Sequence, residues 1–180
     1  MSNSGLNVKP YSRFYQGLAR NFYSGNTYLD NFLRESVSLE ASYGKTYVLL
    51  SDNEDCIVGY YNICAGSLDS FNGSVREKMG GAVHINVFAL DMKYHGLVQA
   101  VTENGVSINL SDFLLADCVE RIKEIREQYI GCSFITLCAT KEGLSLYKRY
   151  GFFPLEEDMV LTIGTEEVKC TSMYYPIDME

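Results

Sequence analysis

One tyrosine of this chain is set by its spacing on a helix face that a ligand could touch. Tyr147 lies in the stretch CATKEGLSLYKRYGFF, residues 138–153. A β-branched run, SFITL at 133–137, precedes it and reads as a buried strand. The spacing predicts a short helix from Thr140 to a stop at Gly151, with Phe152 and Phe153 leading back to extended chain. Tyr147 then falls on the helix face that a ligand beside the strand would touch. A phenol ionises near ~10, so at neutral pH it is protonated and able to donate. The plain alternative is a core tyrosine on an aromatic-rich helix.

A second candidate is His84, in AVHINVFAL at 82–90, where it alternates with apolar residues and shares a strand face with Asn86. Imidazole titrates near neutrality and can act as a base, although a satisfied strand histidine is the simpler reading. The only other histidine is His95, and the cysteines are scattered, so no metal-ligand spacing is present. Neither a Ser-His-Asp nor a Cys-His nucleophile signature is present.

The elements that must carry these residues follow from periodicity. One strand falls within 6–15. A helix is predicted over 29–41, where Leu29, Phe32, Leu33, Val37 and Ala41 share a face. Runs at 46–51 and 57–65 read as an antiparallel hairpin around the turn at 52–55. Residues 66–81 read as loop, and 82–90 as strand. Residues 94–109 show little pattern. The clearest helix spans 111–129, with Leu115, Cys118, Val119, Ile122, Ile125 and Tyr129 in one stripe and Asp117 on the opposite, polar side. Ser111 is its expected N-cap. Runs at 159–163 and 169–175 read as a closing hairpin. The order β-α-β-β-β-α-β-α-β-β predicts a mixed α/β layer.

Length and composition bound the rest. At 180 residues and 47% hydrophobic content the chain is expected to be a single domain over 1–180 with a real core. The net charge is −8. Residues 1–50 carry five Lys/Arg against three Asp/Glu, and the remainder is strongly acidic. That balance weighs against a broad nucleic-acid footprint and suits cationic or amine-bearing substrates. The six cysteines lack C-x-x-C pairs, so buried free thiols in a reducing compartment are expected, and with no apolar run near membrane length, a cytoplasmic protein.

With these residues in hand, the chain resembles the GNAT superfamily of N-acetyltransferases over about residues 29–175. The resemblance rests on the order of elements, on VGYY at 58–61 and on TKEGLSLYKRYGF at 140–152. The segments FYSG at 22–25, LDNFLR at 29–34, TYVL at 46–49 and IVGYY at 57–61 look like the branch of toxin acetyltransferases paired with ribbon-helix-helix antitoxins. The resemblance implies a GNAT-like fold, a central, mostly antiparallel twisted sheet of about six or seven strands flanked by helices. It implies transfer of acetyl from acetyl-CoA to an amine by direct attack in a ternary complex. Tyr147 would protonate the departing thiolate, and His84 matches a position that helps deprotonate the amine.

The same resemblance assigns the cofactor. The backbone of Phe88, Ala89 and Leu90 would pair with the pantetheine amide, and Thr140 and Gly143 are the matching cap and small residue of the helix beside acetyl-CoA. The family's Q/R-x-x-G-x-G/A pyrophosphate motif has two partial matches. One is at His95 and Gly96, where Val98 replaces the first motif glycine. The other ends at Asn109 and Ser111, which replace the two small residues. The residues between read as an insertion. The expected acceptor is a small-molecule or protein amine. A tRNA acceptor belongs to the toxin branch, and the acidic charge disfavours it. A homodimer and an antitoxin-like protein partner are compatible with the resemblance. The other reading is a degenerate GNAT fold working as a non-catalytic binding or regulatory module, contacting its partner through 94–109.

Overall fold

β-branched and aromatic residues dominate the stretches that become strand. A computed structural model of the chain describes residues 7–156, 159–162 and 170–177. Its elements, in order, are β1 (Val8–Pro10), α1 (Gln16–Ala19), α2 (Thr27–Arg34), β2 (Lys45–Leu50), β3 (Ile57–Asn72) and β4 (Val75–Leu90). Then come β5 (Val98–Val101), β6 (Ser107–Asn109), α3 (Leu110–Gln128), β7 (Phe134–Ala139), α4 (Leu144–Tyr150), β8 (Phe153–Pro154), β9 (Met159–Thr162) and β10 (Thr171–Pro176). The mixed α/β class with a mostly antiparallel sheet is as expected. The chain divides into two compact units, Met1–Ile63 with Val87–Glu120 and Cys64–Asn86 with Arg121–Glu180. By residue number, β3, β4 and α3 each contribute to both.

In the first unit the sheet order is β1-β2-β3-β4. β1 and β2 are antiparallel, Val8 opposite Leu49, and β2 and β3 are antiparallel with Tyr47 opposite Tyr61. The core gathers on Tyr60, whose ring meets Phe22 edge-on at 5.4 Å and stacks on Phe32 at 6.2 Å. Its hydroxyl donates to the Leu29 carbonyl at 2.6 Å, so its polar end is not lost on burial. Each aromatic buried this way contributes about 1.5–3 kcal/mol.

α2 begins where Asn26 Oδ1 accepts the amides of Tyr28 and Leu29. The predicted helix over 29–41 ends early, at Arg34. Glu35 turns extended with ψ 161°, and Ser38 Oγ bonds the carbonyls of Leu33 and Glu35. A serine that captures last-turn carbonyls competes with further helix, and two 3-10 turns follow in its place.

The loop expected at 66–81 is instead strand. β3 and β4 are sixteen residues each, joined by Gly73-Ser74 with Gly73 at φ 63°. A two-residue hairpin needs a positive φ, which glycine supplies without strain. Arg76 and Asp69 pair across it at 2.5 Å. Residues 94–109 likewise hold structure: β5 and β6 form a two-stranded antiparallel sheet around a turn with Gly105 at φ 78°.

In the second unit the order is β3-β4-β7-β10-β8, with β9 on β3. β4 and β7 are parallel from Ala82 opposite Phe134 to Ile85 opposite Leu137. The expected closing hairpin does not form among the described residues. β9 pairs with Ser67–Ser70 of β3, while β10 pairs with β7 and β8. The free-thiol expectation also fails for one pair, because Cys138 and Cys170 form a disulfide with 5.5 Å between Cα atoms. The register explains it. Ser172 faces Cys138 and Thr171 faces Ala139, so the chain enters β10 beside the end of β7. Cys56, Cys64, Cys118 and Cys132 are thiols outside this bridge. No helix of the described residues is long and apolar enough to cross a membrane.

Candidate active site

Tyr147 is set by the way α4 starts and stops. Thr140 Oγ1 accepts the Gly143 amide at 3.3 Å, and its carbonyl accepts the Leu144 amide at 3.1 Å. Helix therefore begins at Leu144, not at Thr140 as expected, and a turn occupies the residues between. At the other end Gly151 takes a left-handed φ of 112°. Its amide and that of Phe152 close on the Tyr147 carbonyl at 3.1 and 3.0 Å. Tyr147 is buried, with Phe152 edge-on at 5.9 Å. A Cβ on Gly143 would stand 3.1 Å from the Tyr147 ring and 3.6 Å from Thr140 Oγ1. The glycine lets the turn lie flat on that ring, a packing reason for the small residue at this position. Three of the sequence-predicted residues, Thr140, Gly143 and Tyr147, thus come together in one turn of chain.

His84 is buried on β4, and its Nδ1 lies 3.0 Å from Thr136 Oγ1, its neighbour across the parallel ladder. Burial pushes its pKa down to about 4, so the ring is neutral at pH 7 and a weak base. Asn86 is half-buried, its Oδ1 3.4 Å from Cys64 Sγ.

The remaining predicted residues belong to the first unit. β4 pairs with β7 over Ala82–Ile85 and runs on through Phe88, Ala89 and Leu90. β3 holds this end of β4 closely at Gly59, where a Cβ would sit 2.9 Å from the Ala89 carbonyl. The Leu90 carbonyl accepts from His95 Nε2 at 3.1 Å. His95 thereby braces the strand end through its own side chain, and Gly96 follows in a left-handed turn at φ 70°. Asp91, which sequence reasoning did not single out, is buried and takes three roles at once: its carboxylate accepts the amides of Tyr23 and Lys93, each at 3.0 Å, and its own amide donates to Val58.

At the start of α3, Asp112 Oδ2 accepts the Asn109 amide at 2.8 Å, and the Leu110 amide donates to the Leu97 carbonyl at 3.2 Å. The expected N-cap, Ser111, lies inside the helix, and Asn109 holds the position before its first residue. The spacing Asn-x-x-Asp is the signal that finds it, since a carboxylate three residues on reaches back to the cap amide. Asp117, expected on the polar side, is buried and accepts the Tyr61 hydroxyl at 2.6 Å.

No protein-family model matches the chain, and no curated protein matches it. Solved structures do. A bacterial toxin superposes with TM-score 0.70 at 22% identity, covering 96% of this chain and 90% of the toxin. AtaT complexed with acetyl-methionyl-tRNAfMet gives 0.68 at 16% identity, covering 95% and 94%. A tyrosine-to-phenylalanine mutant of the AtaT toxin, bound to the C-terminus of the antitoxin AtaR and acetyl-CoA, gives 0.63 at 18%, covering 95% and 92%. The chain therefore has the fold of the AtaT toxin, and the resemblance to toxin-type GNAT acetyltransferases holds at the level of the fold.

Proposed function

We propose that this protein is an acetyl-CoA-dependent N-acetyltransferase working on an amine acceptor, with the whole chain, 1–180, as one acetyltransferase-like domain. The observation that carries the reading is Tyr147, buried and fixed between Gly143 and Phe152 on a helix of the AtaT fold. Support for the cofactor comes from AtaT, a structure of which holds acetyl-CoA.

The residues present suit part of that cofactor. Thr140 and Gly143 keep the turn before α4 tight against Tyr147, as a thioester site needs. The backbone of Phe88, Ala89 and Leu90 lies beyond the β7 ladder and is assigned to the pantetheine amide. The start of α3 suits the phosphates poorly, because the Asn109 amide is already engaged by a carboxylate. Acetyl-CoA supplies an activated thioester whose C–S bond breaks as the acceptor's C–N bond forms. Tyr147 gives its phenolic proton to the departing sulfur and regains one from solvent. His84, neutral and weakly basic, contributes a polar face and leaves the amine's proton to water.

AtaT in complex with acetyl-methionyl-tRNAfMet makes a charged tRNA one acceptor to test, and AtaT bound to AtaR makes an antitoxin-like protein a partner to test. The net charge of −8 favours a small-molecule or protein amine. Calorimetric titration with acetyl-CoA should show binding. Tyr147→Phe should keep binding and the thermal melt while the acetylation rate falls by about 10²–10⁴. No heat at millimolar cofactor would sink the enzyme reading. It would favour the non-catalytic module, which the engaged Asn109 amide supports.

A further inference from the structure

A nucleotide-bearing thioester carries several negative charges that a protein commonly meets with a helix N-terminus and with Lys or Arg. The first of these is compromised in this chain. α3 is the longest helix, nineteen residues, and its positive dipole end is the obvious anion site. Two amides at that end are already engaged from within. Asp112 Oδ2 holds the Asn109 amide at 2.8 Å, and the Leu97 carbonyl holds the Leu110 amide at 3.2 Å. A phosphate approaching the Asn109 amide meets a carboxylate already seated there, and like charges at that range repel.

We propose that the protein selects its thioester donor by the pantetheine arm and not by the nucleotide, with Asp112 as the residue that excludes phosphate from the start of α3. The inference rests on the acetyltransferase reading above and narrows its donor specificity. The group transferred is unchanged: a thioester C–S bond gives way to an amide C–N bond, and the free thiol leaves. What changes is the part of the donor that is recognised. Small acyl-pantetheine thioesters become donors equal to acetyl-CoA.

The test is calorimetry on the full chain with acetyl-CoA, S-acetyl-pantetheine and adenosine 3′,5′-bisphosphate. The two thioesters should bind within about threefold of one another, and the bisphosphate should give no heat below millimolar concentration. Acetyl-CoA binding tighter than acetyl-pantetheine by about tenfold or more overturns the proposal and leaves the acetyltransferase reading intact. Failure of both thioesters to bind overturns both. Asp112→Asn keeps an oxygen acceptor for the Asn109 amide and removes the charge. It should strengthen acetyl-CoA binding by about three- to tenfold and leave acetyl-pantetheine unchanged. An equal effect on both thioesters would remove Asp112 from this role. Salt gives a measurement independent of the variant. Wild-type affinity for acetyl-CoA should hold or rise with ionic strength as the repulsion from Asp112 is screened, and a steep loss would mean that phosphates are held electrostatically after all.

Discussion

Burial keeps His84 neutral across the range in which a free imidazole titrates. Its folded pKa is about 4, against ~6.5 for an unperturbed ring. Between those values the unfolded chain binds a proton that the folded chain refuses. Stability from this residue is therefore fully present above pH ~6.5 and is lost as pH falls towards about 4, a difference on the order of 3 kcal/mol. Urea midpoints measured at about pH 7.5 and about pH 4.5 should differ by a large part of that amount. In His84→Gln the amide can still meet Thr136 Oγ1 but does not titrate in this range. A pH slope that survives this change would assign the effect to other groups.

The elements themselves are held by close approaches that leave no room for change. Gly59 of β3 is the tightest of them. An added Cβ would stand 2.6 Å from Leu90 Cδ2, 2.9 Å from the Ala89 carbonyl and 2.9 Å from Leu114 Cδ2. One of these atoms is backbone and cannot move aside, so β4 would have to shift. Gly59→Ala should cost about 1–3 kcal/mol in chemical denaturation, because overpacking in a filled core forces backbone displacement. A neutral result would show that β4 can yield at the strand end assigned to pantetheine. Gly73 and Gly105 have the other reason for being glycine. Both hold a positive φ with nothing within 4 Å of an added Cβ, so turn geometry alone calls for them.

At the scale of the whole molecule the covalent link matters most. The Cys138–Cys170 bridge spans 32 residues of sequence within the second unit. Closing a loop of that length restricts the unfolded chain, and the expected contribution is about 2–4 kcal/mol. Dithiothreitol should lower the urea midpoint of the wild type and leave Cys138→Ser unmoved. Equal sensitivity in both would mean that the bridge carries no stability. The two ends of the chain differ in charge, and the acidic excess beyond residue 50 sets an ionic-strength dependence for any cationic acceptor.

Periodicity alone determined the type and order of the main elements. Each strand or long helix buries one face, and the spacing of apolar residues records that face directly, as in Leu115, Cys118, Val119 and Ile122 of α3. The Gly151-Phe152 stop was legible for the same reason, since local backbone geometry has local residue requirements, whereas the helix expected from Thr140 starts at Leu144, after a turn closed on the Thr140 side chain. The strands over 66–81 and 98–109 escaped because their polar residues alternate weakly, although the turn residues Gly73-Ser74 and Asn104-Gly105 mark both hairpins. Tertiary structure decided what depends on distant partners. It paired β9 with β3 in place of β10, joined Cys138 to Cys170, and buried Asp117 against Tyr61. It also buried His84 beside Thr136 as a neutral, weakly basic ring and placed Asp112 on the amide where an anion was expected. A residue's type fixes which bonds it can make, but only the folded chain settles which of those bonds is already taken.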